Sequence, residues 1–172
     1  MPPTKIYARR SLTPVPPPPA GLTTVPMSAL GEEAFGRLLV AACQGDPFDE
    51  STADTVVDEL RMMAEAAGDR FDADCWYTVH DAQGEVGVLL PQPFPDIENT
   101  GTLFYVGVLP HRRGEGLGRK LYELGLSELA RRGCTEYLGS TAAANEPMLA
   151  IFRAAGCELE EHAAPAPPPA DR

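Results

Sequence analysis

The sequence is short of cationic side chains: its 172 residues hold 14 Lys and Arg against 25 Asp and Glu, a formal net charge of −11. Such a surface repels phosphates, which argues against a general binder of nucleic acid or of an anionic membrane. Long hydrophobic runs are missing too. No apolar stretch is long enough to cross a bilayer, and the opening MPPTKIYARR lacks the apolar core of a signal peptide. The four cysteines, Cys43, Cys75, Cys134 and Cys157, form no C-x-x-C pair, and no His stands at metal-ligand spacing from them. They read as small buried hydrophobes in a reducing compartment, so a cytoplasmic protein without a metal is expected. No internal repeat occurs. What remains is an ordinary globular composition, 44% hydrophobic and 23% charged, in a chain long enough to bury one real core.

Proline marks both ends. Residues 1–20 read as an N-terminal extension with a proline-rich linker at Pro14 to Pro19, and residues 163–172 as a Pro/Ala-rich tail. The folded domain is expected over 21–162, with Lys5 to Leu12 as a strand outside it. Within the domain, Leu22 to Val25 is a short β-like run. Ser28 is placed to cap a helix carrying Leu30, Phe35, Leu38, Leu39 and Ala42 at helical spacing. Ser51 with Asp54 opens a second helix that Gly68 ends. Cys75 to Val79 and Val86 to Leu90 read as strands joined by the hairpin turn Asp81-Ala-Gln-Gly84. Thr102 to Val108 is the strongest strand signal. A helix follows from Gly116 to Arg132, then a strand at Glu136 to Gly139, a helix after Asn145 that Gly156 ends, and a last strand at Cys157 to His162. The order β-α-α-β-β-β-α-β-α-β means an α/β domain with a mixed sheet.

The chemistry concentrates at V-G-V-L-P-H-R-R-G-E-G-L-G-R-K, Val106 to Lys120. A strand runs into a glycine-rich turn and the turn opens a helix. The first N–H groups of that helix have no internal partners and sit at the positive end of the helix dipole. Gly114, Gly116 and Gly118 remove side chains that would block an anion. Arg112, Arg113, Arg119 and Lys120 stand against one acid, Glu115, an excess of positive charge in an acidic chain. A phosphate-bearing ligand is the simplest reason. The run is neither a P-loop, since no G-K-[ST] follows, nor G-x-G-x-x-G. It does match [QR]-x-x-G-x-[GA] at Arg113, Gly116 and Gly118. Downstream, Asn145 is followed seven residues later by Phe152 and four after that by Gly156. Together these features resemble the cofactor-binding motif of the GNAT acetyltransferases, over Val106 to Cys157.

The resemblance implies a GNAT-like mixed sheet of about six strands flanked by about four helices. It implies an acyltransferase that moves acetyl from acetyl-CoA to a primary amine by direct attack, the alternative being a coenzyme A-binding module with weak or no catalysis. Arg113, Gly114, Glu115, Gly116, Leu117 and Gly118 are then expected around the pyrophosphate, and Arg119 at the 3′-phosphate. Val106, Gly107 and Val108 are expected along the pantetheine arm, with Asn145 on the next strand end. Gly107, inside a β-forming run, fits the strand bulge of the family. Phe152, expected against the pantetheine or as a core aromatic, stands where relatives commonly place a proton-donating Tyr, and the strand Thr102 to Val108 holds no acid to serve as base. Candidates for these roles are Glu98, Asp96, Tyr105, Ser140 and Thr141. The acceptor, a small-molecule or protein amine, is expected to be cationic, because the implied groove at Phe35 to Ser51, Pro91 to Asn99 and Ser140 to Ala144 holds Asp46, Asp49, Glu50, Asp96 and Glu98. The chain after Gly156 is too short for the usual closing hairpin. Either the sheet lacks a strand, or Lys5 to Leu12 fills the gap, or a second subunit does, which would make a homodimer.

Overall fold

A computed structural model of the chain describes residues 4–49 and 51–163. In chain order the elements are β1 (Thr4–Ser11), β2 (Thr23–Pro26), α1 (Met27–Leu30), α2 (Glu32–Cys43), α3 (Val56–Ala67), β3 (Tyr77–Asp81), β4 (Gly84–Pro93), β5 (Thr100–Val108), α4 (Leu117–Arg131), β6 (Glu136–Ala142), α5 (Glu146–Ala154) and β7 (Glu158–Ala163). The seven strands form one sheet in the order β2-β3-β4-β5-β6-β1-β7. Every neighbouring pair is antiparallel except β5 and β6, which run parallel. The mixed α/β architecture is the one expected, with one strand more.

That extra strand corrects the domain boundary. Lys5 to Leu12 is no appendage: β1 lies between β6 and β7 and pairs with both along its length. Ala8 is fully buried and Leu12 is 1% exposed. The vacancy that suggested a second subunit is filled from within the chain. The proline stretch after Leu12 then crosses to β2 without helix or strand. The expected C-terminal tail lies, from residue 164 on, outside the described residues.

Two helix starts also differ from expectation, each because a side chain found a tertiary partner. The Ser28 hydroxyl donates to the Asp74 carboxylate rather than capping a helix. The helix it was expected to open breaks at Gly31, whose φ of 84° is left-handed, into α1 and α2. Ser51 likewise turns to Asp49 and Glu59. α3 begins later, at Val56, where the Val56 N–H is met by the Thr52 carbonyl.

The helices cover both faces of the sheet. Val88 and Leu90 of β4 pack with Phe35, Leu39 and Leu60 of α2 and α3. Leu89, between them, packs with Leu117, Leu121 and Leu124 of α4, as the alternation of a strand requires. α4 and α5 share a second core with β1 and β6, built on Tyr122, Leu126, Tyr137 and Phe152.

Two irregularities shape the centre of the sheet. On β5, Val106 pairs with Leu89 but Leu103 pairs with Pro91, so one extra residue is accommodated at Phe104–Tyr105. This is a β-bulge, two residues before Gly107 rather than at it. On the other side, β5 pairs with β6 only at Thr100↔Glu136 and Gly101↔Tyr137. Beyond Gly101 the two parallel strands splay and a wedge opens between them.

Candidate active site

The wedge is a cavity of about 370 Å³, walled by Leu103 to Val106 of β5 and by Tyr137, Ser140, Thr141 and Ala142 of β6. Toward the end of β5 it continues into a cleft of about 480 Å³ bounded by Val106, Gly107, Val108, Arg113, Gly118 and Asn145. Toward α3 lies a third cavity of about 810 Å³, lined by Leu39, Met62, Met63 and Phe104 among others. Two side chains, Phe48 and Tyr105, line all three.

The glycine turn has the geometry an anion needs. After a single turn of 3-10 helix at Pro110–Arg112, Gly114 and Gly116 take φ values of 83° and 76°. Nothing lies within 4 Å of where their Cβ atoms would be, so the turn is open as well as left-handed. Gly116 is the residue before α4 and offers no side-chain cap, which leaves the N–H groups of the first turn of α4 to an external acceptor. A Cβ at Gly118 would come within 3.4 Å of Ile151 and 3.8 Å of Val108, so larger side chains would fill the cleft mouth.

The basic residues around this turn divide by role. Arg112 is 6% exposed. Its guanidinium donates to Asp81 at 2.6 Å, to Glu115 at 3.0 Å and to the Glu85 carbonyl at 3.3 Å. It braces the β3–β4 hairpin against the glycine turn and is not free to meet a ligand, which corrects its assignment to the positive excess. The Arg112 hydrogen bonds in turn hold the Asp81 carboxyl below its ordinary value. The Glu115 carboxylate is likewise engaged by Arg112. Arg113 lines the cleft while donating to the carbonyls of Ala42, at 2.9 Å, and Val108, at 3.3 Å, tying the end of α2 to the end of β5. Arg119 is exposed and pairs with Glu123 at 3.0 Å.

Asn145 is used at both ends of its amide. Its oxygen caps α5 at the Met148 N–H, 3.2 Å away, and its nitrogen donates to the Thr141 hydroxyl at 3.1 Å. It therefore anchors the start of α5 to the open end of β6. Phe152 is 1% exposed, with its ring 5.8 Å from that of Tyr122 and 6.5 Å from that of Tyr137. It is a core aromatic forming the floor of the wedge.

Among the candidates for proton transfer, Glu98 and Asp96 lie on the loop before β5, at the closed end of the wedge, and neither borders the three cavities. Ser140 and Thr141 border the wedge. Tyr105 stands where all three spaces meet. Its ring folds back over Gly107: a Cβ there would lie 2.5 Å from Cε1 and 2.7 Å from the phenol oxygen. The glycine that interrupts the strand is thus the seat of the tyrosine. The Cys43 thiol donates to the phenol oxygen at 3.2 Å. Burial pushes the Cys43 thiol up to about 11 and raises the phenol of Tyr105 further, so both stay protonated at neutral pH.

Sequence reasoning missed Glu59 and the wall around it. Thr55, just before α3, and Glu59, Met62, Met63 and Ala66 of α3 line the third cavity. They recur at helical spacing, a stripe visible in the sequence but indistinguishable there from one facing solvent.

Comparison with known proteins bears on the whole arrangement. The mycothiol acetyltransferase of Saccharomonospora viridis is 31% identical over 111 residues, 60% of this chain and 36% of that protein. That of Kocuria rhizophila is 30% identical over 99 residues, 58% of this chain and 29% of that protein. The chain therefore spans about a third of the length of these curated relatives. A GCN5-related N-acetyltransferase from Sphaerobacter thermophilus superposes with a TM-score of 0.66 at 23% identity, over 94% of this chain and 50% of the other. A tandem GNAT protein of the clavulanic acid pathway gives 0.62 at 18% identity, over 96% and 55%. At these identities the solved structures establish the fold. The family description "Acetyltransferase (GNAT) family" matches residues 39–157, from within α2 through the splayed strands and the glycine turn to the end of α5. A match over more than half of the chain, taking in both splayed strands and the glycine turn, leaves one assignment, and the chain belongs to the GNAT acetyltransferase family.

Proposed function

We propose that this protein transfers an acetyl group from acetyl-CoA to a primary amine, with the reaction set in the wedge between β5 and β6. The observation that carries this reading is the continuity of three spaces through one point: an anion-ready turn and cleft on one side, a separate cavity on the other, and Tyr105 between them. The residues present fit acetyl-CoA. Open, left-handed Gly114 and Gly116 leave room for a pyrophosphate at the start of α4, and Arg113 adds positive charge beside it. The unpaired edge of β5 at Val106, Gly107 and Val108 offers backbone groups to a pantetheine arm in the manner of an added strand. When bound, acetyl-CoA supplies an activated acetyl thioester.

The chain's own part is orientation, a dipolar environment and a proton. The bulge at Phe104–Tyr105 lies in the wall of the wedge, where a backbone N–H freed from the ladder would meet a developing oxyanion. Phe152 cannot give a proton, but Tyr105 can. Its oxygen accepts from Cys43, and no acceptor for its own hydrogen occurs among the described residues. We assign Tyr105 as the proton donor in place of the tyrosine that relatives carry on the helix corresponding to α5. The four cysteines are unpaired thiols, which supports a reducing, cytoplasmic setting. Among the described residues no helix is long and apolar enough to cross a membrane.

Single-turnover acetyl transfer from acetyl-CoA to a panel of primary amines tests the reading. Transfer to at least one amine is expected. Tight acetyl-CoA binding with no transfer to any of them would leave a coenzyme A-binding module instead.

A further inference from the structure

The third cavity has a polarity of its own. At about 810 Å³ it has the size of a small-molecule site. Leu39, Met62, Met63 and Phe104 make one long apolar wall. Its carboxylates sit at one place, Asp49 and Glu59, on either side of Ser51. The Ser51 hydroxyl lies 2.9 Å from an oxygen of Asp49 and 2.5 Å from one of Glu59, so two carboxylates share a single hydroxyl hydrogen. Lys5 borders the wedge that Asp49 also lines, but among the described residues no Lys or Arg lines the third cavity. Arg61, the one Lys or Arg between Arg37 and Arg70, faces away and pairs with Glu32 at 3.1 Å. No ion pair to Asp49 or Glu59 forms among the described residues. Asp49 also borders the wedge, so the acidic end of the cavity adjoins the reaction point beside Tyr105.

Resting on the acetyl-transfer reading, we infer that the acceptor is an amine with an apolar body. Its ammonium group meets Asp49 and Glu59, and its hydrocarbon part lies along the methionine wall of α3. Charge complementarity selects the head: two close carboxylates that form no ion pair among the described residues are relieved by a cation and repel an anion. The wall selects the tail. Methionine side chains adapt to irregular apolar shapes, whereas an aminosugar would leave hydroxyls facing the deeper part of the wall, Leu39 and Met63, without partners; Met62, 66% exposed, forms the outer rim. The site is thus matched to an alkyl or arylalkyl amine and poorly matched to a polar or acidic one.

The test uses octylamine, octanol, glucosamine and acetyl-CoA as probes of the full chain. Calorimetry on the protein loaded with coenzyme A is expected to show octylamine binding that falls by about tenfold or more in the Asp49→Asn, Glu59→Gln double variant. Octanol, which has the tail without the charge, is expected to bind the double variant as it binds the parent. Ala66→Phe, at the exposed rim of the cavity, is expected to weaken both while leaving acetyl-CoA affinity unchanged, which also reports that the variant is folded. In turnover, octylamine is expected to be acetylated ahead of glucosamine. Equal octylamine affinity in parent and double variant, no octylamine binding at all, or faster acetylation of glucosamine would each overturn the inference. The binding arms need no catalysis, so a failure of acetyl transfer alone is distinguishable from a failure of this assignment.

Discussion

Gly107 and Tyr105 form one unit, because the tyrosine ring occupies the space that a Cβ at position 107 would fill. Gly107→Ala must therefore displace the ring even though a strand interior tolerates alanine better than glycine. If the Tyr105 phenol is the proton donor, Tyr105→Phe lowers kcat by about 10²-fold, the lower end for a general acid, with little change in acetyl-CoA affinity. Gly107→Ala is expected to cost a similar factor, and the double variant no more than either single one. Independent, multiplying losses in steady-state kinetics would show that the two residues act separately. Tyr105 was readable as a candidate from the sequence, but its orientation was not. The bulge at Phe104–Tyr105 breaks the alternation by which a strand residue is assigned to a face. Glu98 and Asp96 were drawn in by their nearness in sequence to the central strand. A strand advances about 3.3 Å per residue, so acids before Thr100 end up a strand's length from the open wedge.

At the scale of elements, the glycine turn is held from both sides. Arg112 clamps it to the β3–β4 hairpin through Asp81, and Arg113 ties it to the ends of α2 and β5. The Asp81 carboxyl is held below its ordinary value of 3.8, chiefly by the hydrogen bonds from Arg112. A depressed folded value contributes stability that is present above the ordinary value and is lost as pH falls through the folded one. Denaturation across that acid range is expected to show a falling stability in the parent and a flatter profile in Asp81→Asn; parallel profiles would remove the brace. The turn itself is tested at Gly116. Glutamate there strains a left-handed position by about 1–2 kcal/mol and sets a negative charge against the helix start. Acetyl-CoA affinity is expected to drop by at least about tenfold by calorimetry, and unchanged affinity would place the cofactor elsewhere.

At the scale of the whole molecule, β1 joins the two halves of the chain. It enters between β6 and β7, so the last strand has no partner without the first. Leu12, at the end of that strand, is 1% exposed in the core with Tyr122, Leu126 and Phe152. Leu12→Ala is expected to cost about 2–5 kcal/mol, whereas Val15→Ala, at a position 62% exposed, stays within about 0.5 kcal/mol. Chemical denaturation of the two variants checks this, and a Leu12 effect as small as that of Val15 would mean that β1 is dispensable.

The elements that the sequence determined by itself are those whose causes are local. The strand to Val108, the glycine turn and the amphipathic helix to Arg131 follow from β-forming side chains, from positions that need positive φ, and from helical spacing of leucines. They lie close together in the chain, so the anion-ready turn was legible without coordinates. The tertiary structure alone decided which strands pair, where they part, and which acids meet. Backbone hydrogen bonds in a ladder are blind to side-chain identity, so Lys5 to Leu12 read the same whether it hung free or filled the sheet. The wedge depends on β5 and β6 losing contact after Gly101, and the acidic end of the third cavity depends on Asp49, Ser51 and Glu59 converging from a loop and a helix. Such meetings are set by the packing of α2 and α3 on the sheet, a balance of many distant contacts that no local pattern records.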